Sequence, residues 1–224
     1  MNFLQVHLFF YHHLCIEQSM QVAISIINSF TMKILFATHN KHKIEEIKQA
    51  LNNQFYELIS LDDLEFHQEI PEPYPSLEEN ARAKSEFASS QFNLDCFADD
   101  TGLEIDALNG EPGAFSARWA GPHCSYSDNV AKALREMKDQ TNRKAQFRTI
   151  ISLIYKGKEY QFEGKVKGCI LTEPRGEMGF GYDPIFQPEG YNQSFAEMPL
   201  ELKNKISHRG LAVAKLVEFL NKQA

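Results

Sequence analysis

From Met32 onward, short apolar runs alternate with stretches of helical period, and this alternation constrains the fold more than any other feature. "KILFAT" (33–38) reads as a buried strand. "KHKIEEIKQAL" (41–51) sets Ile44, Ile47 and Leu51 on one helical face. "YELISL" (56–61) is a second strand, and "LEENARAKSEFASSQF" (77–92) a helix with Leu77, Ala81, Lys84 and Ala88 roughly in line. A third strand, "DCFADD" (95–100), precedes the helix "SDNVAKALREM" (127–137), capped by Ser127 or Asp128. "AQFRTIISLIY" and "EYQFEGKVKGCIL" are rich in β-branched and aromatic residues. Joined by "KGK" (156–158), they predict a hairpin with a three-residue loop. The tail "SHRGLAVAKLVEFLNK" (207–222) is a helix capped by Ser207. Strands separated by helices predict an α/β fold with a mixed central sheet.

A chain of 224 residues suits one domain, or two small lobes around one sheet. Its net charge of -7 argues against a general nucleic-acid partner. A small polyanion held in a locally basic pocket with a metal ion is not excluded. Cys15, Cys96, Cys124 and Cys169 are widely spaced, with no zinc-site spacing, which reads as a reduced, cytoplasmic protein. Residues 1–31 contain no Lys or Arg, and His7, His12, His13, Glu17 and Gln18 interrupt their apolar stretches. Neither a signal peptide nor a membrane span fits that pattern. The expected organisation is an N-terminal extension over 1–31, outside the fold and a candidate misassigned start, and one working domain over 32–224.

Four motifs carry chemistry. In "CFADDTGLEI" (96–105) two adjacent carboxylates, Asp99 and Asp100, follow a buried apolar run. Such a pair repels itself and is costly to desolvate, so it calls for a cation, a proton or water. In "LFATHNKHKIEEI" a strand passes through a polar turn into a helix, whose start is a ready anion site. Thr38 and Asn40 can donate there and Lys41 and Lys43 add charge, although an ordinary Asn-capped helix reads the same way. "GEMGFGYDPIF" (176–186) offers backbone freedom at its glycines, flat rings at Phe180 and Tyr182, and a carboxylate at Asp183. "KNKISHRG" (203–210) gathers Lys203, Lys205, His208 and Arg209 at a helix start, where cations oppose the dipole unless an anion binds.

The order of these motifs resembles the inosine triphosphate pyrophosphatase family, the non-canonical purine NTP pyrophosphatases or Ham1-like proteins. The resemblance runs from Met32 to the C-terminus. It is carried by "THNKHK" (38–43), the "IPE" ending at Glu72, "ENARAK" (79–84), "ADDTGLEIDALNGEPGAFSARWAG" (98–121), "FGYDPIF" (180–186) and "SHRG" (207–210). His39 departs from it, since many members have glycine there.

The resemblance implies an elongated α/β fold with a long mixed sheet and two lobes, the active site lying in the cleft between them. It implies hydrolysis of inosine, deoxyinosine and xanthosine triphosphates to the monophosphate and pyrophosphate, clearing these purines from the nucleotide pool. It implies Mg²⁺ held by Glu72, Asp99 and Asp100, with Asp100 as proton acceptor for the attacking water. Thr38, His39, Asn40, Lys41, His42, Lys43 and Thr101 would line the triphosphate path, with Lys84 nearby. Phe180, Gly181, Tyr182 and Asp183 would bound the base and sugar pocket, Lys203 would touch the nucleotide, and His208 and Arg209 would face the purine edge. The implied partners are purine nucleoside triphosphates and a second copy in a homodimer, with the segment around Trp119 as a candidate face, and neither nucleic acid nor membrane. Related readings are a pyrophosphatase of other modified nucleotides, a phosphohydrolase releasing only the γ-phosphate, and a nucleotide binder without turnover.

Overall fold

A computed structural model describes residues 32–51 and 56–223, so the expectations for 1–31 fall outside the described residues. Seven strands make one sheet: β1 (Met32–Phe36), β2 (Tyr56–Ser60), β3 (Cys96–Ile105), β4 (Pro112–Gly113), β5 (Lys144–Tyr155), β6 (Lys158–Ile170) and β7 (Phe186–Pro188). Their order is β2-β1-β3-β5-β6-β7, with β4 also on β3. β1 runs parallel to β2 and β3, and the other pairs are antiparallel, so the sheet is mixed as expected. The helices are α1 (Lys41–Ala50), α2 (Leu77–Phe92), α3 (Tyr126–Glu136), α4 (Leu200–Ile206) and α5 (His208–Asn221).

Because side chains alternate along a strand, β1 and β3 supply two cores at once. Ile34, Phe36 and Phe97 pack with Ile44 and Ile47 of α1 and with Ala212, Val213 and Leu216 of α5. Leu35, Cys96 and Ala98 face the other way, onto Ala88 of α2. A further core at the far end of the sheet joins Leu103, Ile105, Phe147 and Ile170 to α3 and to Phe186 and Phe195.

Several local expectations are corrected. β3 does not end at Asp100 but continues to Ile105, since β5 is long enough to pair with all ten residues. The cap of α3 is Ser125, two residues before Ser127: its hydroxyl accepts from the Asp128 N–H while the Asp128 carboxylate accepts from the Ser125 N–H. The hairpin loop has two residues, because Tyr155 pairs with Lys158. Lys156 and Gly157 take φ of 50° and 75°, the left-handed pair whose twist suits a tight hairpin. Ser207 does cap the last helix, accepting from the Gly210 N–H, but it also ends α4. Lys203 and Lys205 therefore sit in the last turn of α4, where cations favour the dipole, and the conflict read from the sequence does not arise for them.

Two glycines set how closely α5 approaches the rest. A Cβ on Gly164 of β6 would collide with the carbonyl oxygen of His208 and lie 2.5 Å from the Ala212 nitrogen. One on Gly210 would collide with the Asn204 carbonyl of α4. Bare backbone at both places holds the helix start carrying His208 and Arg209 against the sheet.

Candidate active site

A cleft of about 610 Å³ opens beside the C-terminal end of β1 and the middle of β3. Its wall includes Thr38, Asn40, Lys43, Glu72, Lys84, Asp100, Arg118, Phe180, Lys203, His208 and Arg209.

Asp100 points to the α2 side of the sheet. Its Oδ2 accepts from Asn80 Nδ2 at 3.2 Å and its Oδ1 from the Thr101 N–H at 3.1 Å. Lys84 Nζ lies 3.7 Å from Oδ1, donates to the Asp99 carbonyl at 2.7 Å and pairs with the Glu72 carboxylate. Burial pushes Asp100 up to about 6, with the Glu72 and Asp99 charges adding and Lys84 opposing. Burial works against the Lys84 charge, but Asp100 and Glu72 outweigh it and raise Lys84. Among the described residues no three carboxylate, imidazole or thiol groups converge as a metal cage. Two carboxylates do converge, Glu72 and Asp100, on the position of the Lys84 ammonium. Hard oxygens on both sides of a cationic position suit Mg²⁺, which takes one or two carboxylates and completes its shell with phosphates and water.

Asp99 does not join them, and the reason is the pleat. Adjacent strand residues face opposite sides, so Asp99 shares its face with Phe97 and meets α1 and α5. Its Oδ1 accepts from Lys43 at 2.8 Å, and its Oδ2 from Arg209 Nε and Thr101 Oγ1, both at 3.2 Å. Without a metal ion in place, Glu72 and Asp100 lie on one side of the sheet and Asp99 on the other, as a buried ion-pair partner. Burial alone would raise its pKa; Lys43 and Arg209 overturn that and hold it well below the usual carboxylate range. The pairing continues inward. Arg209 donates to Glu46, Glu46 accepts from Lys203 at 2.8 Å, and Lys203 reaches Asp183 at 2.7 Å. Lys43, Asp99, Arg209, Glu46, Lys203 and Asp183 form one chain of alternating charge.

The turn before α1 is capped as well as poised. Asn40 accepts from the N–H groups of His42 and Lys43, and Thr38 Oγ1 accepts from the Asn40 N–H. His39 lines the cleft and is anchored to Asp62 at 3.2 Å and to the Gln68 carbonyl at 3.0 Å. Lys41 is exposed and does not line the cleft. His42 stacks on Phe180 with ring centroids 5.1 Å apart. Tyr182 donates to the Ser116 carbonyl at 2.9 Å and lines the cleft together with Phe180. His208 is buried against Phe147, centroids 4.5 Å apart. Burial first, then the Arg209 and Lys203 charges, hold its pKa well below the ordinary value, so the imidazole is neutral. Its Nδ1 is buried without a hydrogen-bond partner within the protein.

The profile of the Ham1 family matches residues 34–219. The chain belongs to the Ham1 family. Among its relatives, the protein of Flavobacterium johnsoniae named dITP/XTP pyrophosphatase is 48% identical over 189 residues, 84% of this chain and 98% of that one. That of Porphyromonas gingivalis, of the same name, is 49% identical over 189 residues, 84% and 97% of the two chains. The Staphylococcus aureus Ham1 protein structure matches with a TM-score of 0.78 at 38% identity, covering 86% of this chain and all of that one. A Coxiella burnetii HAM1 structure matches at 0.80 and 34% identity, with 86% and 100% covered.

Within this Ham1 fold, the cleft or near-cleft residues that escaped the sequence reading include Asn80, Glu46, Arg118 and Tyr126. Asn80 was part of a quoted motif, and its place one position before Ala81 put it on the buried face of α2. Glu46 lies three positions after Lys43 and one before Ile47, on the inner face of α1, a legible signal. Arg118 and Tyr126 sit in a loop and at a helix start, where no period marks them.

Proposed function

We propose that this Ham1 protein hydrolyses non-canonical purine nucleoside triphosphates, those of inosine, deoxyinosine and xanthosine, between the α and β phosphates. One observation carries the reading: a buried carboxylate, Asp100, raised to about 6 and oriented by Asn80, faces a cleft it shares with Glu72 and Lys84. A carboxylate held in place at the cleft can take a proton from an attacking water. The names of the relatives support the same chemistry.

Asp100 accepts the proton of the attacking water. Glu72 and Asp100 would hold Mg²⁺, which when bound polarises a phosphoryl oxygen and acidifies coordinated water. The turn from Thr38 to Lys43 flanks the phosphates, and Phe180 gives the base a flat face. A 6-keto oxygen would provide the partner that His208 Nδ1 lacks, with the neutral imidazole carrying its proton there. An amino group in that place leaves a buried donor facing a donor, a costly mismatch. Homodimer formation belongs to the same reading, supported by Phe115, 46% exposed beside Trp119; a protomer mass at micromolar concentration would remove it. Among the described residues no helix is long and apolar enough to cross a membrane.

The test is a panel of nucleoside triphosphates with Mg²⁺, read for products. Inosine and xanthosine triphosphates are expected to yield monophosphate and pyrophosphate. Orthophosphate with diphosphate, or binding without turnover, would overturn the reading. EDTA is expected to abolish activity and Mg²⁺ to restore it; full activity in EDTA would remove the metal from the mechanism.

A further inference from the structure

Tyr126 opens α3 and stands in the cleft wall, yet the reading above gives it no role. Its backbone is fixed. Ser125 and Asp128 cap the helix start reciprocally, and Val130 and Ala133 anchor the helix in the core at the far end of the sheet. Its side chain is much freer, since the residue is 44% exposed. Among the described residues the hydroxyl has one hydrogen-bond partner, Asn40 Nδ2, at a long 3.4 Å. The ring meets Phe180, with centroids 5.8 Å apart and planes tilted by 47°.

Phe180 is placed without that contact. Its N–H donates to Asp183 at 2.9 Å, His42 stacks on its ring, and Lys203 Nζ and Arg209 Cζ lie over it at 5.1 and 5.4 Å. Asn40 is likewise held within its own turn, where its Oδ1 accepts from the His42 and Lys43 N–H groups. Tyr126 therefore bridges two points that stand on their own. One belongs to the turn that flanks the phosphates and the other is the platform for the base. In any nucleotide the sugar joins those two parts, so a ring touching both points lies over the sugar. The tilt agrees: a ring inclined to Phe180 is not parallel to a base stacked there, but it can lay its apolar face on the ribose. An exposed side chain on a fixed backbone also changes rotamer fast, so this ring can swing aside and return at the cost of one long hydrogen bond.

We infer that Tyr126 packs on the ribose of the bound nucleotide. This inference rests on the pyrophosphohydrolase reading.

The experiment measures binding of inosine monophosphate and of pyrophosphate, each with Mg²⁺, to the wild-type protein, Tyr126→Phe and Tyr126→Ala. Tyr126→Ala is expected to weaken the monophosphate by about tenfold, the scale of losing one aromatic contact surface. Pyrophosphate carries no sugar, and its affinity should stay within about twofold. Tyr126→Phe keeps the ring and loses the Asn40 bond, so it should hold the monophosphate within about twofold of wild type. In turnover of inosine triphosphate the alanine variant should raise KM and leave kcat nearly unchanged, the pattern of lost ground-state binding. A second measurement needs no variant. Nitration of Tyr126 by tetranitromethane in the wild-type protein, read by mass spectrometry, should be slowed by inosine monophosphate and not by pyrophosphate. Tyr74, 42% exposed and outside the cleft wall, is the internal control and should not respond. Monophosphate affinity unchanged in Tyr126→Ala, or equal losses for monophosphate and pyrophosphate, would overturn the inference; the second result would make Tyr126 only a prop for the Asn40 turn. Nitration that ignores the monophosphate, or slows equally at Tyr74, would overturn it too. A wild-type protein that releases orthophosphate from inosine triphosphate would instead refute the parent reading, independently of the variants.

Discussion

Asp100→Asn is expected to lower turnover of inosine triphosphate by at least about a hundredfold, the usual scale for losing a general base. The amide keeps the size of the side chain and one accepting oxygen but cannot take the proton. Saturating Mg²⁺ controls for the altered metal ligand. Near-normal turnover under that condition would remove Asp100 from the chemistry. The same substitution has a thermodynamic signature in metal-free protein. Burial raises Asp100 from 3.8 to about 6, so the folded state favours the protonated form. That preference is fully present below the unfolded value and is lost as pH rises through the folded one. About two pKa units correspond to a change on the order of 3 kcal/mol. Urea unfolding in EDTA should therefore show the variant gaining on the wild type between about pH 4 and 6, then holding level. A stability gap independent of pH would mean that Asp100 is not strained by its surroundings.

Glu46→Ala is expected to cost roughly 3 kcal/mol, the lower end of what breaking a buried ion pair costs. For a chain of this size the melting temperature should fall by about 6–12 °C. Glu46 is 5% exposed and holds α1 against the junction of α4 and α5 through Lys203 and Arg209. Both cations keep another carboxylate, Asp183 and Asp99, which tempers the loss. Burial would raise the Glu46 pKa, but Arg209 and Lys203 win and lower it from 4.5. Its contribution is thus present above that value and lost as pH falls through the lowered one, so the gap to wild type should close on acidification. Melting within a degree of wild type at pH 7 would show that the charge chain does not join these helices.

Most of the framework was legible because it is periodic. α2 spans Leu77–Phe92 as its 3.6-residue pattern predicts, with Lys84 on the buried face alongside Ala81 and Ala88. The misplacements came where period gives no guidance. Ser125 caps α3 through a hydroxyl that looks no different in sequence from Ser127. The break between α4 and α5 falls at a single serine inside an otherwise helical run. The aspartate pair is a different case. Its opposed orientation follows from the two-residue period of a strand, but only once β3 is known to continue past Asp100. Arg118 has a place only through tertiary contact, since Glu72 lies 46 residues earlier in the chain.

The chain of paired charges bears on how a nucleotide reaches the cleft. Lys43, Lys84, Arg118, Lys203 and Arg209 stand against Glu46, Glu72, Asp99, Asp100 and Asp183, so these ten groups carry no formal net charge when all are ionised. Seen from beyond the screening distance of roughly 8–10 Å, a free nucleotide meets a protein of charge -7 that these ten groups do not offset. Encounter then proceeds against mutual repulsion, which dissolved ions weaken. Stopped-flow association of metal-free nucleotide should accelerate as ionic strength rises, and the magnesium complex, carrying less charge, should respond less. An association rate that slows with added salt would mean that the balance at the cleft mouth is broken in favour of its cations.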